Sequence, residues 1–194
     1  MSHYDDMVRA RLLKTCESVD RFLTDRAGEL SAFVELVADT YRSGGKVLVF
    51  GNGGSAAEAQ HIAAELVNRM LVDRAPLAAI ALTTDTSVMT SIGNDYSFEQ
   101  VFARQVKALG QAGDLAWGLS TSGTSPNVNV ALQAAREKGM KCAAMAGRPG
   151  SPISDLCDVC MWVDAETTPL IQEVHLAAAH VVCELVEKEL FPEG

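Results

Sequence analysis

The sequence predicts an α/β fold in which five parallel strands form one sheet flanked by helices, with two helices at the N-terminus. Three observations support this prediction. Five short apolar runs recur along the chain, helical patterns separate most of them, and two amphipathic segments precede the first run. Continuous apolar runs are typical of parallel strands that helices cover on both faces. No Pro-rich linker or repeat interrupts the 194 residues, so we expect one domain over residues 1–194.

The two leading helices are predicted over residues 8–23 and 30–41, where apolar residues recur every three or four positions. Ser43-Gly44-Gly45 provides a stop signal after the second. Residues 1–43 therefore form a helical extension with an apolar stripe on each helix. We expect these stripes both to cover one face of the sheet and to pack against another copy of the chain.

The remaining elements alternate along the chain. The predicted strands cover residues 46–50, 78–82, 115–119, 141–145 and 159–163. The predicted helices cover residues 55–70, 87–92, 98–109, 125–138 and 169–190. Five strands make one doubly wound layer, and ligands of such sheets bind beyond the carboxyl ends of the strands.

Charge and composition exclude several classes of function. Sixteen basic and twenty-five acidic residues give a net charge of −9, which repels nucleic acid unless a basic stripe overrides it, and the sequence has none. The chain has neither an uninterrupted apolar stretch of membrane-spanning length nor the N-terminal pattern of a secretion signal, so we expect a cytoplasmic protein. Five cysteines fit a reducing compartment. Cys157 and Cys160 have metal or redox spacing, but without a second pair we interpret them as small apolar residues at a strand edge.

A glycine-rich loop follows the first predicted strand, with Asn52, Gly53, Gly54 and Ser55 after Gly51. Glycines allow backbone amides to approach a ligand closely, and Ser55 is a candidate cap for the next helix. The loop also matches the dinucleotide-binding fingerprint G-x-G-x-x-G/A. We rank that alternative last, because no acidic residue is cleanly placed to bind a ribose.

A hydroxyl-rich loop follows the third predicted strand, with Ser120, Thr121, Ser122 and Ser125 as its polar side chains. Ser125 is a plausible helix cap with Pro126 at the first helical position. Free amides at the positive end of a helix, surrounded by hydroxyls, suit a phosphate monoester.

Titratable side chains follow the first loop on the helix predicted over residues 55–70. His61 and Glu65 are four residues apart and therefore share one face. Glu58 fits a capping box that begins at Ser55. Alone, the His61 and Glu65 pair is more often a solvated or hydrogen-bonded structural pair than a catalytic one, so the structural explanation is favoured.

The last predicted helix carries polar residues in an apolar segment. Gln172 and His180 are eight residues apart and able to flank one pocket, whereas we assign His175 to the core or the surface. Asn94 and Asp95, beyond the second strand, are predicted to form a turn and are candidates for binding sugar hydroxyls.

The joint occurrence of the two loops and the polar residues of the last helix resembles the sugar isomerase (SIS) family, within it the isomerases of seven-carbon sugar phosphates. The resemblance implies a three-layer, flavodoxin-like fold and a homotetramer with active sites between subunits. The implied reaction interconverts sedoheptulose 7-phosphate and D-glycero-D-manno-heptose 7-phosphate, on the way to activated heptose for surface glycans. The implied substrate-binding residues are Asn52, Gly53, Gly54, Ser55, Glu65, Asn94, Asp95, Ser120, Thr121, Ser122, Ser125 and Gln172.

The same resemblance implies one zinc ion held by His61, Glu65, Gln172 and His180. An aldose-ketose exchange needs a base for the carbon acid and an acid for the oxygen, and Glu65 and His180 are our candidates. A residue bound to metal is not free to move a proton at the same moment, so the two roles partly compete. The chain departs from many relatives in having Pro169-Leu170, rather than a polar residue and Arg, before Ile171.

An alternative is a SIS protein without catalysis that binds the replication initiator or another protein. The presence of Glu65 and His180 argues against it. A sugar-phosphate sensor is a third option, but it would need a further domain that these residues do not provide.

Overall fold

The computed structural model describes residues 2–193 and shows one sheet of five parallel strands in the order β2-β1-β3-β4-β5. The strands are β1 (Val47–Gly51), β2 (Ala79–Ala81), β3 (Leu115–Ser120), β4 (Lys141–Ala146) and β5 (Val159–Trp162). Every neighbouring pair is parallel. The predicted fold class is confirmed.

Six α-helices accompany the sheet. They are α1 (His3–Arg42), α2 (Gly54–Val67), α3 (Thr86–Asp95), α4 (Val101–Leu109), α5 (Pro126–Glu137) and α6 (Thr168–Leu190). Short 3-10 turns cover Phe98–Gln100 and Ser154–Leu156. All five helices expected after the first strand are present, with shifted ends.

The N-terminal region is one helix of 40 residues rather than the two that the apolar pattern predicted. The stretch between the two stripes contains no proline, and its single glycine, Gly28, lowers helix stability by only about 1 kcal/mol. Arg26 and Glu29 also form an ion pair along this stretch at 2.9 Å. The helix therefore continues through the predicted break.

The helices form two layers, one on each face of the sheet. On one face, α1, α2 and α6 pack against inward side chains such as Val49 and Trp117. On the other, α3, α4 and α5 cover Leu48, Phe50 and their neighbours. This three-layer arrangement gives each central strand a fully buried, continuous apolar run, as the sequence indicated.

The C-terminal half of α1 confirms one of the two roles expected for the helical extension. Phe33 and Val37 are fully buried, and the Phe33 ring lies 4.6 Å from that of Trp117, centroid to centroid. The N-terminal half instead leaves apolar side chains exposed, among them Met7, Val8 and Leu12. Packing of this half against another copy stays a prediction.

The last helix, α6, is long and apolar enough to cross a membrane by composition, but half of its most apolar window is buried inside the protein. Val174, Val182 and Val186 belong to the same core as α1 and the sheet. This is the burial of a core helix, and no membrane protein is indicated.

The cysteine pair agrees with the interpretation as small apolar residues. Cys160 lies within β5 and Cys157 two residues before it, both partly buried and neither in a disulfide. Burial raises the pKa of both thiols, which disfavours the thiolate that metals and redox partners need.

The continuity of α1 predicts that Gly28→Ala stabilises the protein. A Cβ at Gly28 meets no atom within 4 Å, so the change should raise the free energy of unfolding by about 0.5 to 1 kcal/mol. Urea unfolding at fixed protein concentration measures it. Gly45→Ala is the matched control and should destabilise, because its Cβ would lie 2.5 Å from the Gly113 carbonyl oxygen. A lower stability for Gly28→Ala would contradict a continuous helix.

Candidate active site

The first site loop leaves the carboxyl end of β1 and enters α2 through Gly53. Gly53 has a φ of 57°, which favours glycine, and it is the N-cap residue of α2. The helix thus begins at Gly54, and the prediction that Ser55 caps it is wrong. Ser55 lies buried in the first turn, where its N–H donates to the Asn52 carbonyl at 3.0 Å.

The capping box expected of Glu58 is also wrong, for the same reason. With the cap at Gly53, Glu58 falls in the second turn of α2 and is only 8% exposed. Burial raises the pKa of its carboxyl to about 7. Glu58 is therefore a buried acid beneath the loop rather than a cap.

The second site loop follows β3 and holds a network of hydroxyls. The Oγ atoms of Ser120 and Ser125 lie 2.9 Å apart, and the Ser120 Oγ also accepts the Gly123 N–H at 3.1 Å. Ser122 Oγ accepts from both the N–H and the hydroxyl of Thr124. Ser125 is the N-cap residue of α5 with Pro126 next, as predicted.

The Ser125 side chain makes no hydrogen bond to the first-turn amides of α5, since its hydroxyl pairs with Ser120 instead. One of these amides, the Val128 N–H, donates instead to the Asn127 side-chain oxygen at 3.0 Å, and the positive end of the helix dipole lies beside the hydroxyls. The arrangement is that of an anion site, and a cavity of about 450 Å³ adjoins it. Its lining includes Thr121, Ser122 and Arg148.

Asn127 joins the two loops, and the sequence reasoning did not find it. The side-chain amides of Asn52 and Asn127 exchange two hydrogen bonds of 2.8 Å each. A polar residue in the first turn of a helix is ordinarily solvated, so nothing in the local sequence marked Asn127. It is 3% exposed, and the pair fixes the spacing of the two loops.

Three titratable side chains converge beside the loops. The Nε2 atoms of His61 on α2 and His180 on α6 lie 2.8 Å apart, and the nearest Glu65 oxygen lies 3.4 Å from the His61 Nε2. One ligand atom from each of the three residues lies within 4.8 Å of the others. The structure therefore brings together the two residues chosen as base and acid, although they are 115 positions apart in the chain.

This cluster has a donor set that suits zinc. Two imidazole nitrogens and a carboxylate are ligands that Zn²⁺ takes in catalytic sites. When two neutral imidazoles face each other through Nε2, only one hydrogen bond can form between the two nitrogens. A cation between them could instead be bound by both nitrogens. The residues present fit the metal.

Gln172 lies at the loop end of the same helix pair. Its amide lies against Gly54, where a Cβ would come within 3 Å of the amide atoms and require this flexible side chain to move. Gln172 precedes His180 by two turns, or about 12 Å along the axis. In this conformation its amide lies beside the first site loop, and its role as a metal ligand stays a prediction.

Asn94 and Asp95 are the last two residues of α3 rather than a separate turn. Asp85 caps this helix by accepting the Val88 N–H, and no proline ends it before Tyr96, so it extends past the predicted end. The Asn94 amide donates to the Asp95 carboxylate at 2.9 Å, and both are accessible.

His175 belongs to the core, as interpreted from the sequence. It is 2% exposed, its Nε2 lies 3.1 Å from the Ala146 carbonyl oxygen, and burial lowers the pKa of its ring to about 4. Leu170, on the same helix, is also buried and lines the interface with α1.

Comparison with known proteins agrees with this site. A family model described as the SIS domain matches residues 13–147. A phosphoheptose isomerase of Geobacter sp. (strain M21) is 48% identical over 96% of this chain and 97% of its own length. A phosphoheptose isomerase of Geobacter sulfurreducens is 49% identical over 96% of this chain and 99% of its own length.

Solved structures give the same result. A phosphoheptose isomerase from Neisseria gonorrhoeae superposes with a TM-score of 0.89 at 40% identity, covering 95% of this chain and 99% of that one. A phosphoheptose isomerase from Francisella tularensis superposes with a TM-score of 0.90 at 31% identity, covering 97% of this chain and 100% of that one. The chain therefore belongs to the SIS domain family and is an isomerase of sugar phosphates.

Proposed function

We propose that the chain converts sedoheptulose 7-phosphate to D-glycero-D-manno-heptose 7-phosphate through an enediol, as an early step towards activated heptose for lipopolysaccharide or another surface glycan. The observation that carries the proposal is the convergence of Glu65 and His180 beside an anion-binding loop. The names of the similar proteins support the seven-carbon substrate. We place the reaction in the cytoplasm.

In this proposal the hydroxyl-rich loop holds the phosphate. The hydroxyls of Ser120, Thr121, Ser122 and Ser125, at the positive end of the α5 dipole, supply neutral donors to the phosphate oxygens. Asn52, Gly53, Gly54 and Gln172 bind the sugar near the reacting carbons. Asn94 and Asp95 contribute donors and acceptors for sugar hydroxyls.

The proton moves between neighbouring carbons of the sugar. The Glu65 carboxylate takes a proton from C1, and the His180 imidazolium donates one to the oxygen on C2, which gives the enediol. Glu65 then returns a proton to C2 while the oxygen on C1 gives its proton to His180, which leaves the aldehyde. General acid-base catalysis of this kind typically contributes about 10² to 10⁴-fold.

We propose that His61, Glu65, Gln172 and His180 hold one zinc ion. When bound, zinc would stabilise the negative charge that develops on the sugar oxygens. A side chain that binds metal is not free to carry a proton at the same moment, so the roles of Glu65 and His180 as zinc ligands and as proton carriers partly compete. Assays on both metal-free and zinc-supplied protein separate the two states.

We further propose that the chain assembles as a homotetramer. The exposed apolar residues of the N-terminal half of α1 provide a surface that association would bury. A role as a non-catalytic binding protein is the alternative function, and it would leave the convergence of Glu65 and His180 without a purpose.

Wild-type protein should convert sedoheptulose 7-phosphate, and Glu65→Gln should lower kcat by about 10² to 10⁴-fold, because an amide cannot accept the proton. Coupled assays of metal-free and zinc-supplied samples measure both. Glu184→Gln makes the same change on α6, where Glu184 pairs with Lys188, and should leave kcat unchanged. No wild-type turnover in either sample would refute the proposal and favour the binding alternative.

Ser122→Ala should raise KM about tenfold and leave kcat nearly unchanged. A hydrogen bond to a charged group contributes about 1.5 to 3 kcal/mol, and phosphate binding is made equally in the ground and transition states. Inhibition by inorganic phosphate should weaken in parallel. Ser31→Ala, on exposed α1, is the control. An unchanged KM would remove this loop from phosphate binding.

Sedimentation at micromolar concentration should show a particle larger than the 20.7 kDa chain. The double variant Val8→Glu with Leu12→Glu places charge on one face of α1 and should shift the protein towards smaller species. Thr24→Glu adds charge at another exposed position of α1 and should not. A monomeric wild type would contradict assembly.

A further inference from the structure

A buried ion pair lies below the candidate site, and no motif identified in the sequence includes it. Arg74 follows α2 in the chain, and Glu187 lies in the last turns of α6. Their side chains are each 2% exposed, and the Arg74 Nε lies 2.9 Å from a Glu187 oxygen. Two charges removed from water in this way require compensation from other groups.

Glu187 receives that compensation from the loop after α2. Its carboxylate accepts the backbone N–H groups of Met70, Leu71 and Val72 at 2.7 to 2.9 Å. These bonds replace the helical ones, and α2 accordingly ends at Val67, three residues earlier than predicted. Glu187 thereby fixes the loop to α6.

Arg74 completes a link from Glu187 to the catalytic end of α2. Its guanidinium donates to the carbonyl oxygens of Glu65 and Leu66, both at 2.9 Å. These are carbonyls of the last turn of α2, which have no partner within the helix. One guanidinium therefore contacts both the backbone of the proposed base and the carboxylate on α6.

The link continues an alignment that runs along both helices. Gln172 lies against Gly54, His180 faces His61, and Glu187 connects through Arg74 to Glu65 and Leu66. Glu187 follows His180 by seven residues, which places the two within about 20° on the same face of α6. The ion pair thus joins the face that carries His180 to the turn that carries Glu65.

We propose that Arg74 and Glu187 are positioning residues, which hold α2 and α6 in register so that Glu65 and His180 meet at the substrate. The catalytic part of this inference rests on the proposed function. Apolar side chains in place of a buried ion pair are often as stable, so stability alone is a weak reason for this pair. The forked donors of arginine, which reach Glu65, Leu66 and Glu187 at once, give it geometric specificity that lysine lacks.

Arg74→Lys tests the proposal, because it keeps the charge beside Glu187 but cannot also reach the two carbonyls. We expect kcat to fall at least about tenfold and KM to change less than about threefold, since misplacement of a catalytic group by 1 Å costs about 10²-fold. Lys46→Met is the control. It breaks another partly buried pair, with Asp114, at the amino end of the sheet, and should lower thermal stability without changing kcat.

A second measurement does not depend on activity. In protein with isotope-labelled histidine, the ring signals of His61 and His180 should shift in Arg74→Lys, whereas those of His175, bonded to Ala146, should not. Glu187→Asp, which withdraws the carboxylate by one methylene, should reproduce both effects and serves as the second variant if Arg74→Lys does not fold.

The outcomes separate the two claims. An inactive wild type would refute the proposed function, while the histidine signals would still test the alignment of the helices. Unchanged His61 and His180 signals with wild-type kcat in a folded variant would overturn the proposal. The proposal would also be overturned if Lys46→Met lost as much kcat as Arg74→Lys at an equal loss of thermal stability. The Arg74 and Glu187 pair would then have only a structural role.

Discussion

The side-by-side packing of α2 and α6 is the constraint on which the candidate site depends. The two helices run in the same direction, and each carries part of a cluster that neither could form alone. At one end the Gln172 amide lies against Gly54, in space that a side chain there would take. At the middle level His61 meets His180. A small rotation or slide of α6 would therefore separate the imidazole of His180 from the carboxylate of Glu65.

The loops at the end of the sheet and the helix faces contribute different kinds of chemical group to the candidate site. Strands β1 and β3 are neighbours, so their following loops emerge side by side, and the Asn52 and Asn127 amides lock them together. These loops present backbone amides and hydroxyls, which in the proposed function bind the phosphate without adding a charged group. The titratable residues come instead from helix faces, where packing fixes their orientation. Binding and proton transfer can thus be altered separately by substitution.

Local sequence patterns predicted the strands and the two site loops because each depends on neighbouring residues. The apolar runs of β1, β3 and β4 are buried throughout except at Lys141, and Ser125 with Pro126 begins α5 as expected. Two errors came from rules that the structure overrides. The lapse of the apolar pattern between residues 23 and 30 did not break α1, and the positive φ of Gly53 moved the start of α2 ahead of Ser55.

Local sequence patterns could not predict features that depend on residues far apart in the chain. The Arg74 and Glu187 pair spans 113 positions, and Asn127 finds its partner 75 positions away. Each of these residues has an ordinary sequence context, and only the fold shows that it is buried. By contrast, the grouping of His61, Glu65 and His180 followed from the resemblance to a family, and the fold brings these residues together.

The origin of the transferred proton tests the central claim most directly. In deuterated water the wild-type protein should yield aldose phosphate that carries deuterium at C2, since the proton held by Glu65 exchanges with solvent while the enediol exists. Mass spectrometry and NMR of the product locate the label. Glu65→Gln should form neither labelled product nor labelled substrate at a comparable rate. Labelling at the wild-type rate in Glu65→Gln would contradict proton transfer by this carboxylate.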